Sequence, residues 1–115
     1  MINYEEFKKV EVRAGKILSA EKIPETDKLL RLSVDFAEKD ETGNGKPRQI
    51  VSGIAHWYPD PAALVGKTCM FVTNLEPRTI RGFESNGMLF AVSTPEGKFS
   101  LLEPNAEIPP GTRAA

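Results

Sequence analysis

HWYPDPAALVGK, residues 56–67, reads as a short helix with both of its ends marked. Asp60 is placed to accept the first free backbone N–H groups as an N-cap. Pro61 suits the first helical position, where its missing donor leaves nothing unpaired, and Gly66 stops the helix. One or two turns are predicted. On either side the pattern changes to strand. Gln49–Gly53 precedes the stretch, with Ile50, Val51 and Ile54 supplying core, and Cys69–Val72 follows it as a continuous apolar run.

The strands further out fix where this helix falls. Leu30, Leu32, Val34 and Phe36 alternate with Arg31, Ser33 and Asp35, the period of a half-buried strand. Before them Val10, Val12 and Ala14 alternate with Glu11 and Arg13 until Gly15, where Lys16 takes an inward position and Ile17 and Leu18 are both apolar. A bulge or sharp bend is predicted at Gly15, so that one long strand serves two sheets. Pro24–Asp27 is a turn, and residues 37–47, AEKDETGNGKP, form a mobile hairpin tip around Gly43, Asn44 and Gly45 with solvated charges. Met88–Val92 is the fifth strand. Pro95–Lys98 then turns the chain into a sixth apolar stretch at Phe99, Leu101 and Leu102. Pro109 and Pro110 keep the tail extended. Tyr4–Lys9 can make a helical turn with Tyr4 and Phe7 on one side; too short to stand alone, it must pack on the domain or on a second copy of it. The expected fold is all-β: a five-stranded OB-fold barrel plugged by a short helix between strands three and four. A single domain over 1–115 is expected, with the barrel over about 9–93 and a C-terminal extension over about 94–115.

Composition narrows the function. A 40% hydrophobic and 27% charged chain of 115 residues can bury roughly two thirds of its unfolded surface in one core, and no apolar run approaches the ~20 residues of a membrane helix. No membrane partner is expected. MINYEEFKKV carries no export signal, and the single Cys69 cannot form an internal disulfide, so a reducing cytoplasm fits. The net charge of −1 excludes a protein that coats nucleic acid through a broad basic surface; any such site must be local.

Catalytic constellations are missing. His56 is the only imidazole and reads as an aromatic-rich loop residue beside Trp57 and Tyr58, while Cys69 reads as a small buried hydrophobe. The glycines stand singly at turns, so neither a Walker loop nor a dinucleotide fingerprint exists. No cofactor, metal or catalytic residue is expected. The residues point to a binding module.

Residues 74–91, NLEPRTIRGFESNGMLFA, are the candidate for binding. They set two arginines, two glycines, a proline and a serine between apolar strands. Arg78, Arg81, Ser85 and Asn86 would stand on a barrel rim within reach of the phosphates and exposed base edges of a folded RNA. The alternative is an ordinary long connection with solvated charges.

With these blocks in place, the chain resembles the tRNA-binding domain found as free-standing bacterial proteins, at the C-terminus of methionyl-tRNA synthetase, and in the endothelial-monocyte-activating polypeptide. The resemblance runs from about Phe7 to Arg113 through KVEVRAGKI (9–17), DKLLRLSVDF (27–36), RQIVSGI (48–54), YPDPAALVGK (58–67), NLEPRTIRG (74–82) and SNGMLFA (85–91). It implies an OB-fold homodimer that recognises the shape of tRNA, with an aminoacyl-tRNA synthetase as a further partner and a role in protein biosynthesis. Carried over to this sequence, the family's loop pattern falls on Asn74, Arg78, Arg81, Ser85, Gly87 and Met88, with Lys28, Arg31 and Arg48 as neighbours on the sheet face. For Met88 a place in the core is the alternative. Beginning at its own methionine and lacking the signature segments of a synthetase core, the chain looks like a separate protein or subunit that cannot aminoacylate. Members often carry lysines where this sequence has Glu76 and Thr79, and each lost phosphate contact removes roughly 0.9 from the salt slope of binding. A secretion-associated branch of the same fold implies a second possibility, a dimeric peptide-binding, chaperone-like protein.

Overall fold

A computed structural model describes residues 1–115. Tyr4–Phe7 is one helical turn (α1), started by Asn3, whose side-chain oxygen accepts from the Glu6 N–H at 2.9 Å. Strands β1 (Val12–Lys22), β2 (Leu30–Asp35) and β3 (Arg48–Ser52) pair antiparallel in succession. β4 (Thr68–Val72) returns to the first half of β1. A hairpin of β5 (Arg78–Ile80) and β6 (Phe83–Ser85) follows, then β7 (Met88–Leu89) beside β4, and a second hairpin of β8 (Ala91–Ser93) and β9 (Phe99–Leu101).

The main sheet runs β3-β2-β1-β4-β7. β3 is closed against the end of β6 and the link that leads into β7: the Asn86 N–H donates to the Gln49 carbonyl at 2.8 Å, and the Val51 N–H donates to the Ser85 hydroxyl at 3.0 Å. The result is the expected nearly closed five-stranded antiparallel barrel. Leu30, Leu32 and Val34 of β2 are fully buried, and Phe36 meets Phe71 edge to face with ring centroids 5.2 Å apart. Cys69 is wholly buried, which pushes its thiol up to about 11 and leaves no reactive thiolate at neutral pH. His56 lies at the surface with Trp57 edge-on to it at 5.4 Å.

The helix between β3 and β4 takes the lower end of the one or two turns expected, and it is a 3₁₀ turn. Asp60 does cap it, accepting from the Ala62 N–H at 3.1 Å, and Pro61 is its first residue. Pro61–Leu64 closes as a single 3₁₀ turn, preceded by another at Ala55–Trp57. Val65 leaves the turn with extended backbone, φ −64° and ψ 128°, so the segment ends after one tight turn. Leu64 is nonetheless fully buried and plugs the barrel.

The bulge in β1 also differs in place. Its register against β2 shifts between Ile17 and Ser19, which turns Leu18 out to solvent. Gly15 answers a different need, because a Cβ there would lie 2.5 Å from Phe36 Cε1 and 2.6 Å from Val34 Cγ1. Gly15→Ala is expected to cost about 1–3 kcal/mol through overpacking, read as a lower urea midpoint at unchanged slope. An unchanged midpoint would mean that Phe36 can move aside.

Rather than serving two sheets as expected, β1 lies inside one five-stranded sheet, paired with β4 over residues 12–16 and with β2 over residues 16–22. The extended tail covers the edge of β1 that β2 leaves open. The Ala14 N–H donates to the Thr112 carbonyl and the Ala114 N–H to the Val12 carbonyl, both at 2.8 Å. Around the 37–47 tip, Asp40 accepts from the N–H groups of Thr42 and Asn44, at 2.8 and 3.0 Å. Lys39, Glu41 and Lys46 are solvated there, whereas Glu38 is paired with Arg48.

Candidate nucleic-acid interface

The segment read as a loop is a hairpin with a two-residue turn. Arg78 faces Ser85, Thr79 faces Glu84 and Ile80 faces Phe83. Arg81 and Gly82 make the turn with φ of 51° and 84°. Positive φ at both central residues matches the right-handed strand twist, and asparagine followed by glycine is the sequence that adopts it most readily. An arginine held there works against its own backbone preference.

Both arginines are free. Neither Arg78 nor Arg81 enters any of the five ion pairs, and both are exposed. Arg81→Asn is therefore expected to stabilise the protein by about 0.5–1 kcal/mol while weakening RNA binding. Undiminished binding by that variant would show that the turn residue makes no contact.

The hairpin is seated firmly on the barrel. The Arg31 guanidinium lies 5.0 Å from the Phe83 ring centroid and donates to Glu21 at 3.1 Å. Gln49 Nε2 donates to the Glu84 carbonyl at 2.9 Å. The buried Ser85 hydroxyl accepts from Val51 and donates to the Gly87 carbonyl at 3.2 Å. Both free guanidinium groups thus ride on a fixed support.

The remaining sequence candidates divide. Lys28 is exposed beside the hairpin's groove, its carbonyl accepting from the Ala55 N–H at 3.0 Å. Met88 is 43% exposed on the groove wall, and the core position belongs to Leu89 instead. Three others are engaged within the protein. Asn74 joins the N-terminal segment to the end of β4, accepting from the Glu11 N–H at 2.8 Å and donating to the Lys9 carbonyl. Ser85 closes the barrel seam. Arg48 lies over the Phe36 ring, with two bonds of 2.8 Å to Glu38 and one of 2.6 Å to the Thr73 carbonyl. Hydrogen bonding to Arg48 holds the Glu38 carboxyl below its ordinary value. The half-buried Asn86 lines a polar hollow with Arg48 and Glu84.

Between the hairpin and β3 runs a groove of about 540 Å³, its walls formed by Val51, Leu75, Ile80 and Met88, with Arg78 and Glu76 beside them. Sequence reasoning missed Leu75, Ile80 and Gly53 here. The alternation Arg78–Thr79–Ile80 before an Arg–Gly pair was the available signal for a strand and turn. An exposed hairpin with Arg78 on an apolar slot and Arg81 at its turn, both outside every ion pair, can hold phosphates and the flat face of a base.

Residues 12–113 match the family described as "Putative tRNA binding domain". The chain belongs to the tRNA-binding domain family. It is 42% identical over 114 residues to a methionine–tRNA ligase of Enterococcus faecalis, which covers 99% of this chain and only 16% of that protein. The chain therefore spans about a sixth of that relative's length. A MetRS-related protein from Pyrococcus horikoshii superposes over 100% of this chain and 98% of its own, with a TM-score of 0.85 and 39% identity. The chaperone CsaA of Bacillus anthracis superposes over 100% and 99%, with a TM-score of 0.81 and 31% identity. This member of the tRNA-binding domain family carries Arg78 and Arg81 on the lip that joins β4 to β7, one of the loops through which OB-folds bind oligonucleotides.

Proposed function

We propose that the protein is a non-catalytic, shape-selective tRNA-binding homodimer that works in the cytoplasm alongside an aminoacyl-tRNA synthetase. The observation that carries this reading is the division of the arginines. Arg13, Arg31 and Arg48 are held by Glu11, Glu21 and Glu38, and Arg113 reaches the Lys8 carbonyl at 3.4 Å, while Arg78 and Arg81 stand on one hairpin with no ion pair. A chain of net charge −1 that leaves two exposed guanidiniums on one hairpin outside its ion pairs has a local anion site without a general affinity for nucleic acid. The similarity to methionine–tRNA ligase and to a MetRS-related protein supports a synthetase as partner.

Dimerisation is supported by α1. Ile2, Tyr4 and Phe7 are exposed, and the helix buries none of its residues. A four-residue helix gains little by itself, so an apolar surface on it calls for a second copy. Two lips at fixed spacing then engage one tRNA with an effective concentration that separate copies lack.

Gel retardation of total tRNA, together with light scattering for mass, tests this reading. A retarded band that fades with added salt and a mass of two chains are expected. Absence of retardation at low salt would overturn tRNA binding, and a mass of one chain would overturn the dimer.

The likeness to CsaA and the apolar walls of the groove favour a second reading, a chaperone-like peptide binder. Under it an apolar peptide would bind equally well to the parent protein and to the Arg78, Arg81 double variant.

A further inference from the structure

Gly53 lies on the groove with no structural reason to be glycine. Its φ is ordinary, so no turn demands it, and a Cβ there would meet nothing nearer than the Lys28 carbonyl oxygen at 4.0 Å. Gly87, which also lines the groove, is the contrast. Its φ is 144°, and a Cβ would stand 3.0 Å from Ile50 Cδ1 and 3.2 Å from the Val72 carbonyl. The fold requires that glycine. Bare backbone that packing does not require leaves room for close approach from outside.

The groove's chemistry limits what can approach. Met88 and Leu75 are exposed apolar walls, while Glu76 and Arg78 stand beside them outside every ion pair. Apolar sides, one carboxylate and one guanidinium suit a flat molecule with N–H donors on one edge and an anionic tail. A nucleotide has that form. Guanine alone among the RNA bases presents two adjacent donors, N1–H and N2–H, on its Watson–Crick edge, matching the two oxygens of a carboxylate. Adenine and cytosine place a ring acceptor next to their amino group, and uracil flanks its one N–H with carbonyls.

We propose that the groove takes one unstacked guanine of the bound RNA, its ring against Gly53 and Met88, its Watson–Crick edge on Glu76 and its phosphate on Arg78. The inference rests on the RNA-binding reading above. It gives Glu76 a use. The anion that lowers the loop's general affinity for phosphates selects the base instead, and Gly53 becomes a positioning residue that keeps the floor clear.

The test titrates isotope-labelled protein with guanosine, adenosine and uridine 5′-monophosphates and follows the backbone amide resonances. Guanosine monophosphate is expected to shift Gly53 and Met88 and to saturate about tenfold below the other two, the discrimination of one good bidentate pair. Glu76→Gln should remove that preference. Gly53→Leu should abolish the shifts and weaken tRNA binding about tenfold at an unchanged unfolding midpoint; Gly53→Ala, a single methyl, should give a smaller loss in a fold it cannot disturb. Equal responses to the three nucleotides, or a folded Gly53→Leu that still binds guanosine monophosphate, would overturn the proposal. Full tRNA affinity in Gly53→Leu, with loss in the Arg78, Arg81 double variant, would sink the guanine slot and leave the arginine lip standing. A parent protein that binds no tRNA would overturn both.

Discussion

Replacing Arg78 and Arg81 together by alanine is expected to lower tRNA affinity about a hundredfold at low salt and to leave the unfolding midpoint unchanged. The magnitude follows from two charge-assisted hydrogen bonds at roughly 1.5 kcal/mol each. The slope of log affinity against log salt should fall by roughly 1.5 to 2, since two phosphate contacts vanish. Stability should not respond, because neither side chain is in an ion pair and both are exposed. Alanine at residue 81 keeps the same strained φ of 51°, so the turn itself is not relieved. A fall in affinity with an unaltered salt slope would place the two arginines away from phosphates.

Arg48 is expected to behave in the opposite way. Arg48→Met should destabilise the protein by about 2–4 kcal/mol, because it strips Glu38 of both its donors and the Thr73 carbonyl of its partner. The lower part of the range for buried pairs applies, since the Arg48 and Glu38 side chains retain 16% and 31% of their exposure. The loss should depend on pH in a defined direction. Pairing with Arg48 lowers the Glu38 value in the folded state from an ordinary 4.5, so the pair contributes fully above that pH. Its contribution disappears as pH falls through the lower folded value. Urea titrations of both proteins should thus draw closer under acid conditions, where only the loss of the Thr73 bond remains, and diverge near neutrality. A constant gap across that range would mean that the loss comes from packing over Phe36 rather than from the charge pair.

Most of the barrel was legible because its core strands follow one rule at a time. Leu30 to Phe36 alternate strictly, and the Asp60–Pro61 pair marks its turn by geometry local to those residues. The departures arise where two demands meet on one residue. Gly15 reads as a bulge because glycine permits bends, yet its role is to admit Phe36 and Val34 from across the sheet, a contact no local pattern records. The same limit applies to the site. That Arg78 and Arg81 belong together is visible in NLEPRTIRG, but that Arg48 is occupied depends on Glu38 and Thr73, brought to it by the barrel's closure. Ser85 likewise serves Val51, far away in sequence. Unpaired charge is a property of the fold, and sequence alone cannot report it.

A fixed, arginine-bearing lip on a mildly acidic barrel is proposed to read the shape of folded RNA. Filter-binding titrations of total tRNA, double-stranded RNA and single-stranded DNA at two salt concentrations test it most directly. tRNA is expected to bind roughly tenfold or more tightly than either competitor at both salt concentrations. Comparable retention of all three would contradict it.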